Sequence, residues 1–141
     1  MKLFAATLLS LALLLCPQTQ GADTQPPAVE LPAVVHEIDP AQVEAYLVEH
    51  QDTVIIDLRT EDERRTRGHI LNSRNHDYFH GKQALDALSQ LDKSKPCILY
   101  CAMGGRARLM AVEMHKLGFQ KLLLLKGGFN TWVAEGQAVA K

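Results

Sequence analysis

Cys101 stands directly after the apolar run Pro96-Cys97-Ile98-Leu99-Tyr100 and opens the segment Cys101-Ala102-Met103-Gly104-Gly105-Arg106. A thiol followed by two glycines and an arginine suits nucleophilic chemistry. Gly104 and Gly105 let the backbone curl so that its N–H groups turn inward, and a helix starting there adds its N-terminus to the same cradle for negative charge. That field stabilises a thiolate, so Cys101 is expected to react as an anion. A plain alternative is a buried apolar cysteine, which is the reading for Cys97. The strand end, the glycines and the arginine together favour the nucleophile.

The elements around this segment follow from its flanks. Pro96 to Tyr100 lacks alternation and reads as a strand buried on both faces of a parallel sheet, with Cys101 at its carboxyl end, where sites gather in such sheets. Arg106 to Leu117 reads as a helix with Leu109, Val112, Met114 and Leu117 on an apolar side and Gly118 closing it. Thr53 to Leu58 and Leu122 to Leu125 are further buried runs. Asp39-Pro40 reads as a cap and first-turn proline opening a helix that carries Val43, Tyr46 and Leu47 and ends near His50. Glu61 to Arg67 and Gln83 to Leu91 read as helices, His69-Ile70-Leu71 as the start of a strand, and Gly127-Gly128 as the entry to a last helix with Phe129, Trp132 and Val133. Strand alternates with helix, so the expected fold class is α/β: a parallel sheet with helices on both faces.

The chain has 141 residues, 47% apolar and 22% charged, which suits one globular domain and gives no sign of disorder. Lys2 precedes the apolar run Leu3 to Leu15, and a polar stretch follows it. This is the layout of a secretory signal at 1–21, too short for the roughly 20 apolar residues of a membrane span. Leu15 stands where lipoprotein processing wants a small residue, so lipid attachment at Cys16 is not expected. Residues 22–33 read as a linker and 34–141 as the domain. The expected location is outside the cytoplasm, in a bacterial periplasm, with no membrane contact after signal cleavage. Loss of Lys2 takes the formal charge from −1 to about −2, which offers no basic surface for nucleic acid. That compartment permits disulfides. Yet four strand steps put the Cα atoms of Cys97 and Cys101 roughly 13 Å apart, where a bridge tolerates about 7 Å.

From Cys101 to Arg106 the segment resembles the active loop of the rhodanese-like sulfurtransferases, Cys-x-x-Gly-x-Arg. Asp57-Leu58-Arg59 is similar to that family's Asp-x-Arg strand end, Gly68-His69-Ile70 to its Gly-His-Ile, and Gly127-Gly128-Phe129-Asn130-Thr131-Trp132 to its Gly-Gly-x-x-x-Trp. The resemblance spans about the last hundred residues. It implies a rhodanese-like fold and sulfurtransferase activity of the thiosulfate:cyanide type, by double displacement. In that scheme Cys101 takes a sulfane sulfur from a small anionic or persulfide donor, such as thiosulfate or polysulfide, and passes it to cyanide or a thiol. Ala102, Met103, Gly104, Gly105 and Arg106 would bind the substrate, with Arg106 either donating to it or bracing the loop. Asp57, Arg59 and His69 are expected to be structural near the site, with Arg59 pairing a glutamate on the following helix and Trp132 in the core. No cofactor or metal is implied, and the sequence does not identify a protein partner. The chain departs from the family at Leu71-Asn72-Ser73, where Pro-Gly often follows, and in the uncharged Ala102 and Met103. The latter weakens the case for thiosulfate relative to persulfide or polysulfide.

Two other readings compete. Phosphatases and arsenate reductases share this fold, but the resemblance gives them a loop one residue longer than the four residues between Cys101 and Arg106. A sulfur-binding or sensing module without turnover is the other, although such domains usually lack the cysteine that this chain has. Cys97 and Cys101 do not form a Cys-x-x-Cys redox pair, and the six histidines are scattered rather than spaced for a metal.

Overall fold

The computed structural model describes residues 29–141; the expected export signal at 1–21 and residues 22–28 of the expected linker lie outside the described residues. The elements run β1 (Val35–Ile38), α1 (Pro40–Glu49), β2 (Val54–Asp57), α2 (Glu61–Arg67), β3 (Arg74–Asn75), a 3₁₀ turn (Tyr78–His80), α3 (Lys82–Ser89), β4 (Cys97–Tyr100), α4 (Gly105–Lys116), β5 (Leu122–Leu125) and α5 (Gly128–Ala134). The strands form one five-stranded parallel sheet in the order β1-β5-β4-β2-β3.

Side-chain alternation along the central strands divides the core in two. Cys97 and Leu99 of β4, Leu122 and Leu124 of β5 and Ile56 of β2 face α3 and α4, meeting Leu88, Met110, Ala111 and Met114. Ile98, Tyr100, Leu123, Leu125 and Ile55 face the other way, against Val43 of α1 and Phe129 and Trp132 of α5. Both faces of the central strands are therefore apolar, which is why their sequences run Ile-Leu and Leu-Leu without alternation.

Sheet order fixes where a ligand can approach. From β2 the chain moves outward to β3, whereas from β4 it moves the opposite way to β5. The two adjacent strands send their exits apart, and the crevice this opens beyond their carboxyl ends is the usual binding place in such sheets. Asp57 ends β2 and Cys101 follows β4, so both lie at that crevice.

Several expectations require correction. His69-Ile70-Leu71 does not begin a strand: His69 makes an isolated antiparallel bridge to Ala140, and the short β3 starts only at Arg74. The intervening turn reverses through Asn72, whose φ of 62° is left-handed, a conformation asparagine tolerates better than most residues. On α4 the core-facing residues are Ala107, Met110, Ala111 and Met114, while Leu109 is exposed, so the apolar side is rotated from the one expected. Leu117 is the cap residue and Gly118 follows it with φ 94°. Just ahead of β1, Leu31 packs against the core and Pro32 accepts the Val35 N–H at 2.9 Å.

Candidate active site

Cys101 is almost fully buried, and its Sγ accepts the Gly104 N–H at 3.1 Å. Gly104 has φ 104° and caps α4, whose first residue is Gly105. Only glycine takes this conformation without strain, and it turns an amide of the incoming loop onto the sulfur. The sulfur therefore sits at the opening of a twelve-residue helix, with a backbone donor already aimed at it.

The loop is held from the other side by α5. The orphan N–H groups of that helix's first turn donate to loop carbonyls, Phe129 to Cys101 at 2.8 Å and Asn130 to Ala102 at 3.0 Å. Such an approach requires a residue without a side chain at Gly128. A Cβ there would lie 2.6 Å from the Cys101 carbonyl oxygen and 2.7 Å from that of Ala102.

Arg106 occupies the third wall. Its Nη1 and Nη2 donate to Oε2 and Oε1 of Glu63, each at 2.7 Å, in a fork that leaves both side chains part-buried. Glu63 also accepts the Thr60 N–H at 2.9 Å, completing a capping box at the start of α2. Arg106 holds the Glu63 carboxyl well below its ordinary range, at about 2. Reciprocally, Glu63 and, less strongly, Cys101 hold the Arg106 guanidinium protonated above its usual value. Arg106 thus braces the loop against α2, and its charge is compensated. The Phe79 ring lies 5.4 Å from its Cζ.

Arg59 does not pair a glutamate on the following helix. Its Nε and Nη2 donate to Asp57 at 3.0 and 2.7 Å, and both side chains are fully buried. Arg64 and Tyr100 add donors to the same carboxylate at 3.2 and 2.7 Å. Burial works against the Arg59 charge, but Asp57 outweighs it and the guanidinium is held above its ordinary value. The Arg59 Cζ stacks 3.8 Å from the centroid of Phe129, the residue whose amide tethers Cys101, so this buried pair supports the loop at one remove. His69 ties the chain to Ala140 through its backbone, and burial, then Arg64, lower the pKa of its imidazole. Trp132 is buried and donates to Ala138 at 2.9 Å.

The structure therefore brings Cys101, Gly104, Gly105 and Arg106 into one site, with Ala102 and the exposed Met103 on its rim. Sequence reasoning missed Gly128 as the clamp, Phe79 as a neighbour and Glu63 as the partner of Arg106. Gly128 left a signal in the Gly127-Gly128 pair and Glu63 one in the capping spacing Thr60-x-x-Glu63, but neither points to the partner found here. Among the described residues no group of three or more His, Cys, Asp or Glu side chains is placed to hold a metal ion.

A parallel sheet with a cysteine loop at its switch point defines the class, and comparison with known proteins agrees. The family model described as Rhodanese-like domain matches residues 39–135, and the chain belongs to that family. Thiosulfate sulfurtransferase GlpE of Coxiella burnetii is 32% identical over 88 residues, covering 62% of this chain and 78% of that protein. A sulfurtransferase of Allochromatium vinosum is 25% identical over 112 residues, 73% of this chain and 92% of that one. Among solved structures, the polysulfide-sulfur transferase homodimer of Wolinella succinogenes matches with TM-score 0.61 and 27% identity, over 76% of this chain and 79% of that chain. A rhodanese-related protein of Thermoplasma volcanium shares the fold, with TM-score 0.63 and 23% identity over 74% and 96% of the two chains.

Proposed function

We propose that this chain is a sulfurtransferase that moves a sulfane sulfur from a donor to a thiophilic acceptor through a persulfide on Cys101. The observation that carries this reading is the placement of Cys101 beyond β4, with its Sγ taking the Gly104 N–H at the opening of α4. The relatives named thiosulfate sulfurtransferase, sulfurtransferase and polysulfide-sulfur transferase support it.

In the first half-reaction the Cys101 thiolate attacks the sulfane sulfur. A new S–S bond forms as the donor's bond to that sulfur breaks, and the leaving group departs with the electron pair, as sulfite from thiosulfate or as a thiolate from an organic persulfide. In the second, the acceptor attacks the outer sulfur, giving thiocyanate from cyanide or a new persulfide from a thiol, and the Cys101 thiolate returns. The Gly104 amide stays aimed at the charge through both steps.

The balance of charge favours weakly charged donors. Ala102 and Met103 are neutral and Arg106 is committed to Glu63, so the thiosulfate dianion meets amides but no uncompensated cation in the loop. The same commitment disfavours phosphoester hydrolysis, which needs the arginine turned towards an oxyanion. Thiocyanate formation from cyanide tests the reading. Turnover is expected with polysulfide and, at higher KM, with thiosulfate, with none in Cys101→Ser and a lower thiosulfate KM in Ala102→Arg. Equal thiosulfate KM values for the last variant and the natural chain would contradict the charge argument.

We further infer export to a bacterial periplasm from the charge and apolar pattern of residues 1–21. Protein recovered from the periplasm should begin at Ala22 or one residue later; recovery in the cytoplasm with Met1 retained would contradict it.

A further inference from the structure

An apolar cleft of about 480 Å³ opens beside the active loop, lined by Tyr78, Phe79, Leu85, Leu109, Met110 and Val112 among others. Its size falls within the roughly 300 to 1,000 Å³ typical of small-molecule sites. Two observations place the cleft next to the loop. On α4, Arg106, Leu109, Met110 and Glu113 recur at helical spacing and form one stripe running away from Cys101, of which all but Arg106 line the cleft. Phe79, which also lines the cleft, lies against Arg106.

Among the described residues Phe79 is 70% exposed and Leu109 42%, so each presents open apolar surface to the cleft. Where the cleft meets the loop, the charges of Arg106 and Glu63 offset each other in their ion pair. At the far end Glu113 is bridged to Lys116 at 2.8 Å. The cleft next to the loop therefore suits an uncharged, apolar group tethered to a reacting sulfur.

We infer that this cleft is the subsite for the organic substituent of a low-molecular-weight persulfide donor or thiol acceptor, and that Phe79 and Leu109 set the preference for apolar substituents. The inference rests on the sulfur-transfer reading above. For the donor, R–S–SH places its terminal sulfur at Cys101 and R along Phe79. The thiolate attacks the terminal sulfur, R–S⁻ leaves with the electron pair, and Cys101 carries the S–SH group. For a thiol acceptor the same step runs in reverse.

The test loads Cys101 with polysulfide, removes the excess, and follows loss of the sulfane sulfur on adding ethanethiol, butanethiol or hexanethiol, with cyanide as a reference that has no substituent. The second-order rate constant is expected to rise about tenfold from ethanethiol to hexanethiol, as partial burial of the added methylenes would give. In Phe79→Ser and Leu109→Ser, checked for folding by circular dichroism, the hexanethiol-to-ethanethiol ratio should fall towards one. Ratios independent of chain length in the natural protein would overturn the subsite while leaving sulfur transfer intact. Variants that slow cyanide and every thiol in proportion would overturn the assignment of Phe79 and Leu109. Failure of Cys101 to take up sulfur from any donor would overturn the transferase reading and this inference with it.

Discussion

Glu63 and Arg106 face each other as a fork, with two bonds of 2.7 Å joining α2 to the first turn of α4 across 43 residues of sequence. The active loop is bent between β4 and this bridge. Its cation is paired with the Glu63 carboxylate through both terminal nitrogens.

This bridge gives stability a defined dependence on acidity. Glu63 ionises at about 2 in the folded chain against 4.5 ordinarily, so its contribution is complete above about pH 4.5 and is lost as the pH falls through 2. Glu63→Gln keeps the capping geometry and removes the charge. Urea unfolding should show the natural protein more stable by on the order of 1–2 kcal/mol near neutral pH, allowing for solvent screening at this partly exposed pair. The gap should close between pH 4.5 and 2; a gap that persists unchanged at pH 2 would contradict the assignment.

Two glycines of the loop region should respond differently to alanine. At Gly128 the new Cβ meets two carbonyl oxygens under 3 Å, so Gly128→Ala must push α5 off the loop, costing about 2 kcal/mol or more and slowing sulfur uptake on Cys101. At Gly104 a Cβ meets open space, and the cost is the φ of 104° alone, about 1–2 kcal/mol. Thermal unfolding and the rate of sulfur uptake, measured side by side, check the order. A larger loss of stability in Gly104→Ala would contradict the tethering of the loop by α5.

The buried pair under Phe129 sets a third expectation. Arg59→Met leaves Asp57 in the core with only part of its charge compensated by Arg64, a loss of about 3–5 kcal/mol. Arg64 is 17% exposed and its replacement by Met should cost less, since Arg59 remains in place. Chemical denaturation of the two variants decides, and an equal loss would mean that the carboxylate is shared evenly between them.

What the sequence made legible follows from where its signals are local. The runs at β2, β4 and β5 are apolar on both faces and bounded by breakers, so they stand out, and Cys101 with its glycines is contiguous. β1 was hidden because its middle residues, His36 and Glu37, are polar and exposed on an edge strand. β3 consists of Arg74 and Asn75, which carry no apolar pattern at all. The face of α4 was misread because Leu109 and Val112 line an open cleft, while small Ala107 and Ala111 go inward, where the sheet leaves little room. Long-range partners such as Glu63 for Arg106 leave no periodic trace, and the capping spacing of Glu63 pointed only to its local role.

Cys97 provides a control for reactivity. It lies wholly buried at the first position of β4, and burial pushes its thiol up to about 11. Excess iodoacetamide at pH 8 should leave Cys97 unmodified until the chain is unfolded, and Cys97→Ala should retain sulfur transfer while losing about 1–2 kcal/mol from the small cavity. Labelling of Cys97 in the folded protein, or loss of transfer in the alanine variant, would contradict a purely packing role.

The most direct test of the central claim is intact-mass measurement of the protein after incubation with thiosulfate or polysulfide, beside Cys101→Ser, with cyanide added afterwards. The account predicts a gain of one sulfur atom in the natural protein, absent in the variant and removed by cyanide with release of thiocyanate. No gain with either donor, or an equal gain in Cys101→Ser, would contradict it.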